Sequence, residues 1–533
     1  MSPLRLARRL ARISTLVLWL LAMLSIALPA AAADPANAGR IRLKYWEKWT
    51  GFEKDAMQAV VDDYNRSQSR VFVDLLSISG ITQKTLIATA GGNPPDIAGL
   101  WANEIAGFAA KNALMPLDEL ARGTNVERER YLPIYWDMVT HEGKVFAVPS
   151  TPATIALHWN KRLFREAGLD PEQPPRTIAE LDVFAKRLTK LEGGELKQIG
   201  FLPSEPVWWP HFWPYFFGGK LWDGGDRILA NSPESLQAFE WVQSYAKVYG
   251  VGALQNLSSS FGNFASAQNP FMNETLAMVL QGVWMANYIA QYAPGLEWGA
   301  APFPSLQAGG PPIGVADTDV LVIPRGAAHP REAFAFLDFV AEQRSTEKLN
   351  LGQRKNSPLV DVSEDFFRQH KHPYIRMFQE LAASPATVAA QPQMSVWQEY
   401  RNEIANAFQR VWLLESTPEQ ALATVQERIQ RSWDRERRRQ STPPSRLLSV
   451  APFVLIALLV ALIVGLAWRE RAKHVQLVGQ ERASRQNASL GRGVLFFSPW
   501  GIGLLVFTAF PVMASLVYSF CDYSVLTAPR WIG

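Results

Sequence analysis

The sequence predicts an α/β protein of at least two compact units followed by two membrane-spanning helices. Three observations carry this expectation. Strand and helix patterns alternate from residue 41 onward. The 533 residues exceed what one core holds, since domains usually comprise about 100 to 200 residues. Two long uncharged apolar runs lie near the end of the chain.

The elements follow in order. Residues 1–33 carry a basic start (Arg5, Arg8, Arg9, Arg12), an apolar run from Ile13 to Leu28, and Ala31 and Ala33 at A-x-A spacing. This is the pattern of a secretory signal cleaved near Ala33, with an uncleaved anchor as the alternative. IRLKYWEK then alternates as a strand, FEKDAMQAVVDDYNRSQ has helical spacing of its apolar residues, and VFVDLLSI reads as a second strand. A further helix, the turn GGNPPD and the strand IAGLW complete the start of an open α/β sheet. Ligands bind such sheets at the carboxyl ends of their strands, which is where Trp46, Glu47 and Trp49, and then Trp101 and Glu104, fall. KVFAVPSTPATIALHWN is extended and leads into the helices NKRLFREAGL and TIAELDVFAKRLTKL.

The segment VWWPHFWPYFFGGKLW, residues 207–222, packs eight Phe, Tyr or Trp rings into an irregular stretch. It is too short and too broken by proline to enter a membrane. Core packing is expected to take Phe212, Phe216 and Phe217, leaving Trp208, Trp209 and Trp222 as a stacking surface. Helix SLQAFEWVQSYAKVYG, the run FMNETLAMVLQGVWMANYIAQY, a turn-rich APFPSLQAGGPPIG, the strand DTDVLVIP and helices from 330 to about 350 follow. Residues 361–433 read as helical throughout, and STPPS at 441–445 is a linker.

The first apolar run, 447–468, has 22 residues without a charge; the second, 493–521, has 29 and contains Pro499 and Pro511. Each is long enough to span hydrocarbon as a helix. Six Lys or Arg between the runs match a cytoplasmic loop, but the stretch before the first run holds six Arg as well, so parity decides. An exported N-terminal part returns through 447–468, making 469–492 cytoplasmic and the second run outward-going.

Charge is uneven along the chain. Residues 34–430 hold 36 of the 53 basic and 44 of the 49 acidic side chains, a net of −8, which argues against nucleic-acid binding. The single cysteine, Cys521, excludes an intramolecular disulfide and an all-cysteine metal site. The chain has no G-x-S-x-G, H-E-x-x-H or G-x-x-x-x-G-K-[ST] pattern, so hydrolase, zinc-protease and ATPase readings lack support.

Residues 40–430 resemble the extracellular solute-binding proteins of ABC importers, in the carbohydrate group that includes maltose-binding and glycerol-3-phosphate-binding proteins. The resemblance rests on GGNPPDIAGLW, GKVFAVPSTPATIALHWNKRLFREAGL, AMVLQGVW, LVIPRGAAHPREAFAFLDF and QMSVWQEYRNEI, in this order and spacing. Val283 stands where the family often has Pro, and Asn273, Glu274 and Thr275 replace its usual Gly-Lys. The resemblance implies a two-lobed periplasmic-binding-protein fold over 34–440 that closes by hinge bending. Hinge segments are expected at 150–154, 312–316 and 351–356. Lobe one would comprise about 40–150 and 317–350, lobe two about 155–312 and 356–433. GVLFFSPWGIGLLVFTAFPVMASLVYSFCDYSVLTAPRWIG, 493–533, resembles the first transmembrane helix of a sugar-type ABC permease. A binding protein fused to the start of a permease is therefore expected.

Sugars present C–H faces that aromatic rings cover, and hydroxyl rims that carboxylates, amides and guanidinium groups pair. Trp46 with Glu47, Trp49, Trp101 with Glu104, Glu205 before Trp208 and Trp209, and Trp222 beside Asp223 fit this chemistry. Trp284 follows from its G-x-W match, Asp317 from its place beside a hinge, and Arg354 from the loop at another. Trp241 and Trp412 are assigned to packing. No catalytic residue, cofactor or metal is expected. The implied partners are a sugar or oligosaccharide, the membrane, an ABC permease subunit and a cytoplasmic ATPase. A membrane-tethered glycoside hydrolase using Asp317 and Glu104, a sugar-sensing domain and a glycerol-3-phosphate-type ligand are the alternatives. A phosphate would need a basic cluster, and beyond Lys48 none is evident between Tyr45 and Gly51, so a neutral sugar is preferred.

Overall fold

In the computed structural model the residues described are 39–384, 388–441, 445–478, 496, 498–524 and 526–531. The signal or anchor expected at 1–33 lies outside them, as does most of the stretch between the two apolar runs.

The alternation read from residue 41 builds a five-stranded sheet in the order Val71–Ser77, Ile41–Glu47, Ile97–Trp101, Thr318–Val322, Ala147–Pro152. The first three strands run parallel; Thr318–Val322 lies antiparallel to both of its neighbours. Leu43, Tyr45 and Glu47 are buried on one face of the first strand, as a period of two requires, and Arg42, Lys44 and Trp46 point to the other. Helix Gly51–Ser67 covers the sheet with Met57, Val60, Val61 and Tyr64.

The second sheet runs Lys190–Glu192, Glu195–Phe201, Leu276–Gly282, Ile155–Asn160, Gly314–Val315, Val388–Ala389, with Trp298–Ala301 also paired to Ile155–Asn160. Every residue of Ile155–Asn160 and Leu276–Gly282 is buried, which is why neither shows the alternation of a half-exposed strand. Each sheet has its own hydrophobic core, so the fold is two-lobed and mixed α/β.

The chain passes between the sheets twice within a few residues. Pro152 ends a strand of the first sheet and Ile155 begins one of the second; Val315 ends in the second and Thr318 begins in the first. The two passages lie side by side, with the Ala153 N–H donating to the Asp317 carbonyl at 2.8 Å. A third segment joins them. After helix Gln343–Gln353, Asn356 accepts from the Thr154 hydroxyl at 3.2 Å and donates to the Tyr135 hydroxyl at 3.2 Å.

Two sequence expectations change. The extended stretch around residues 147–160 is two strands in different sheets. Residues 361–433 are not one helical run: Pro373 and Pro392 interrupt it, leaving helices Glu364–Gln369, Ile375–Ala383 and Trp397–Trp412, the start of Pro418–Ser441, and the short strand Val388–Ala389. Among the described residues two helices are long and apolar enough to cross a membrane, Leu447–Glu470 with mean hydropathy 3.0 and Ser498–Tyr518 with 1.9. A hairpin of Cys521–Ser524 and Thr527–Trp531 follows the second, and its Pro529 carbonyl accepts from the Ser445 N–H at 3.0 Å, at the start of the first.

Candidate functional site

A cleft of about 1070 Å³ opens between the lobes. Lobe one lines it with Lys48, Trp49 and Glu53 after the first strand, Ser79 to Gln83 after the second, and Trp101, Asn103 and Glu104 after the third. These are the carboxyl ends of the three parallel strands, where an open sheet leaves its loops free to receive a ligand. The opposite wall carries Trp208, Trp209, His211, Phe264, Trp284 and Tyr288, together with Gln398 and Arg401 from helix Trp397–Trp412. Asp317, Asp319, Lys355 and Gln391 also line it, close to the passages between lobes.

The aromatic segment at 207–222 divides its labour. Phe212, Trp213, Phe216 and Phe217 are buried in the lobe-two core. Trp209 stacks on Phe212 at 5.2 Å and meets Trp208 at 5.8 Å and Trp284 at 6.1 Å, presenting a wall of indole rings. Gly282 makes room for the last of these: a Cβ there would sit 2.3 Å from the Trp284 ring. The G-x-W pattern is therefore a packing requirement as well as a sequence match.

Charge concentrates on the lobe-one side. The Lys48 ammonium lies 3.2 Å from Glu47 Oε1 and 3.1 Å from Asp319 Oδ1, and sits over the rings of Trp49 and Trp101 at 4.7 and 5.1 Å. Lys355 lies 3.1 Å from both Glu53 and Asp319. Burial alone would raise the Asp319 carboxyl, but Lys48, Lys355 and the Thr151 hydroxyl more than offset it and hold it at about 2. Burial pushes Asp317 up to about 7; the Thr318 N–H opposes this and the nearby Asp319 charge adds to it. Burial also raises Glu104, against its hydrogen bond from the Thr82 hydroxyl. His211 is driven down to about 3 by burial and then by the Arg401 charge, so it is neutral. Three buried atoms of cleft residues have no hydrogen-bond partner among the described residues: Glu104 Oε2, Trp209 Nε1 and His211 Nε2.

Of the twelve residues singled out in the sequence, seven line this cleft: Trp49, Trp101, Glu104, Trp208, Trp209, Trp284 and Asp317. Five lie outside its lining. Glu47 is fully buried beneath it, accepting from the Tyr45 hydroxyl at 2.6 Å and from Lys48. Trp46, one position earlier on the strand, faces the other side of the sheet. Glu205 is largely enclosed, its carboxyl pushed up to about 7 by burial. Trp222 donates its indole N–H to the Gly225 carbonyl at 2.9 Å and packs edge-on against Trp433. Arg354 caps helix Gln343–Gln353 with φ of 52° and reaches the Ala286 carbonyl at 3.4 Å. Sequence reasoning passed over Asp319, Lys355, Gln391 and Arg401. The basic group it found missing near Lys48 comes from Lys355 and Arg401, hundreds of residues away.

Among the described residues no group of three or more His, Cys, Asp or Glu is placed to hold a metal ion. Flat faces on both walls, with buried unpaired donors and acceptors beside them, can hold a molecule having apolar faces and a polar rim.

Comparison with known proteins agrees with this geometry. The sn-glycerol-3-phosphate-binding periplasmic protein of Salmonella paratyphi A is 25% identical over 361 residues, covering 63% of this chain and 79% of that protein. An ABC transporter extracellular-binding protein of Pyrococcus horikoshii is 24% identical over 386 residues, 66% of this chain and 79% of its own. Among solved structures, CpMnBP1 with mannobiose bound superposes with a TM-score of 0.66 at 29% identity, covering 73% of this chain and 99% of that one. The sugar-binding protein MalE of Xanthomonas citri shares the fold with a TM-score of 0.62 at 20% identity, over 75% of this chain and 100% of its own. Residues 53–347, more than half of the sequence, match the family described as bacterial extracellular solute-binding protein, and the chain belongs to that family.

Proposed function

We propose that the chain captures a sugar or oligosaccharide outside the cytoplasmic membrane and hands it to an ABC-type importer, without catalysing a reaction. One observation carries the reading. Trp101 lines one wall of the cleft and Trp208, Trp209 and Trp284 the other, and beside them lie Glu104 Oε2, Trp209 Nε1 and His211 Nε2, unpaired among the described residues. Leaving such atoms unpaired costs about 1–3 kcal/mol each, a cost that ligand hydroxyls would remove. Glu104 and Asp317 are the hydroxyl partners in this reading, and the tryptophans its stacking faces. The family match and the mannobiose-bound neighbour support it. The permease-like pattern at 493–533 supports delivery to a membrane partner fused to the same chain.

Titrating the full chain in detergent with mono- and oligosaccharides, followed by tryptophan fluorescence, tests this reading. Trp209→Ala and Trp284→Ala should each weaken binding roughly tenfold or more, the factor that about 1.4 kcal/mol represents. Absence of binding to any saccharide would sink the reading. Release of shorter saccharides, abolished in Glu104→Gln, would favour the hydrolase alternative instead, since Glu104 and Asp317 line the same cleft.

A further inference from the structure

Helix Trp397–Trp412 buries Trp397, Tyr400, Ile404, Ala407 and Phe408 in lobe two. Its Gln398, Arg401, Asn402 and Ala405, spaced three and four apart, form a second stripe that lines the cleft. Gln398 reaches across to lobe one, donating to Asn103 Oδ1 at 3.3 Å. Arg401, one turn on, faces the same wall.

The charges lining the cleft can be matched one by one. Lys48 is held by Asp319 and by Glu47 beneath it, and Lys355 by Asp319 and Glu53. Glu104 accepts from Thr82, and Asp317 from the Thr318 N–H and from Gln391 at 2.7 Å. The Arg401 side chain makes no hydrogen bond or ion pair among the described residues. A guanidinium keeps its charge throughout the physiological range and offers a planar fork of donors that fits a carboxylate two-pronged. Asp317 and Glu104 lie near enough to feel its charge, which lowers both carboxyls against the burial that raises them, but among the described residues neither is joined to it by an ion pair. His211, also near, is neutral. The cleft is thus furnished for a saccharide and carries one guanidinium that no carboxylate of the described residues engages directly.

Resting on the sugar-binding reading, we propose that the ligand is an acidic sugar, a uronate or an oligosaccharide containing one, whose carboxylate pairs with Arg401. The aromatic walls take the pyranose faces. Gln398 and Asn402, on the same stripe, are placed for the hydroxyls beside the carboxylate. A lone guanidinium suits a monoanion better than a phosphate dianion, which separates this assignment from the glycerol-phosphate alternative.

The test uses the full chain in detergent at low ionic strength and saccharide pairs that differ in the carboxylate: dimannuronate and mannobiose, digalacturonate and galabiose, cellobiouronate and cellobiose. At least one acid should bind tenfold or more tighter than its neutral partner. Arg401→Gln should remove that ratio, whereas Arg401→Lys, which keeps the charge but not the fork, should retain part of it. Arg401 is partly exposed and supports no core contact, so both variants should fold. Neutral partners binding as well as the acids in all three pairs would overturn the acidic-sugar assignment and leave the sugar reading standing. So would equal losses of acid and neutral affinity in Arg401→Gln. Stronger binding of sn-glycerol 3-phosphate than of any saccharide, or no saccharide binding at all, would overturn both.

Discussion

Asp317 occupies the last position before the chain re-enters the first sheet, half-buried where the two lobes meet. The Thr318 N–H, Gln391, Asp319, Glu104, Arg401 and the Tyr135 hydroxyl surround it. Folded, it holds its proton up to about pH 7; unfolded, it releases it near 3.8. Between these values the native state binds more protons, so this group's contribution to stability is complete below about pH 4 and is lost as pH rises through 7. Asp317→Asn, which stays neutral, should abolish that component. Wild type and variant should have similar denaturation midpoints near pH 4, and the variant should become progressively more stable than wild type as pH rises to 7, after which the gap levels off. A difference constant with pH would show that the carboxyl titrates normally. Asp317 was readable in the sequence from its place beside an expected hinge. Its neighbours were not: Gln391 lies 74 residues away and Asp319 is two positions along a strand, where nothing local marks it as the counter-ion of Lys48 and Lys355.

Among the elements, the strand ending at Gly282 shows how packing dictates a site. Its seven residues are buried, and the indole of Trp284 folds back over the final glycine. A second pair of this kind lies in the lobe-two core, where a Cβ on Gly299 would sit 2.1 Å from the ring of Trp159. Gly282→Ala and Gly299→Ala should each cost about 1–3 kcal/mol by overpacking. Only the first should also weaken ligand binding, because only Trp284 lines the cleft. Urea midpoints and saccharide titrations on both variants separate the two effects, and equal affinity losses would argue against a role for Trp284. Strands and helices with strong periodicity were legible from residue 41 to 353, because burial on one face leaves a period in the sequence. Trp46 and Trp222 show where legibility stopped. One lies on the wrong side of its strand by a single register step, and the other is held by Trp433 from a helix some 200 residues later.

For the molecule as a whole, the topology proposed from the two apolar helices would put the cleft on one side of a membrane and residues 469–492 on the other. In a Cys521→Ser background, Glu192→Cys should react with an impermeant maleimide on intact spheroplasts, and Gln486→Cys only after permeabilisation. The reverse pattern would invert the topology. The position of Thr318–Val322 has a different consequence. This strand is the fourth of five in the first sheet, between Ile97–Trp101 and Ala147–Pro152, yet it lies well over a hundred residues beyond either in the chain. A nascent polypeptide that has reached residue 300 still lacks the strand that joins Ala147–Pro152 to the rest of the first sheet, and both flanking strands present open edges. Closing so large a loop is slow. The first lobe therefore cannot complete its sheet until the chain has grown past residue 322, whatever the second lobe has done by then.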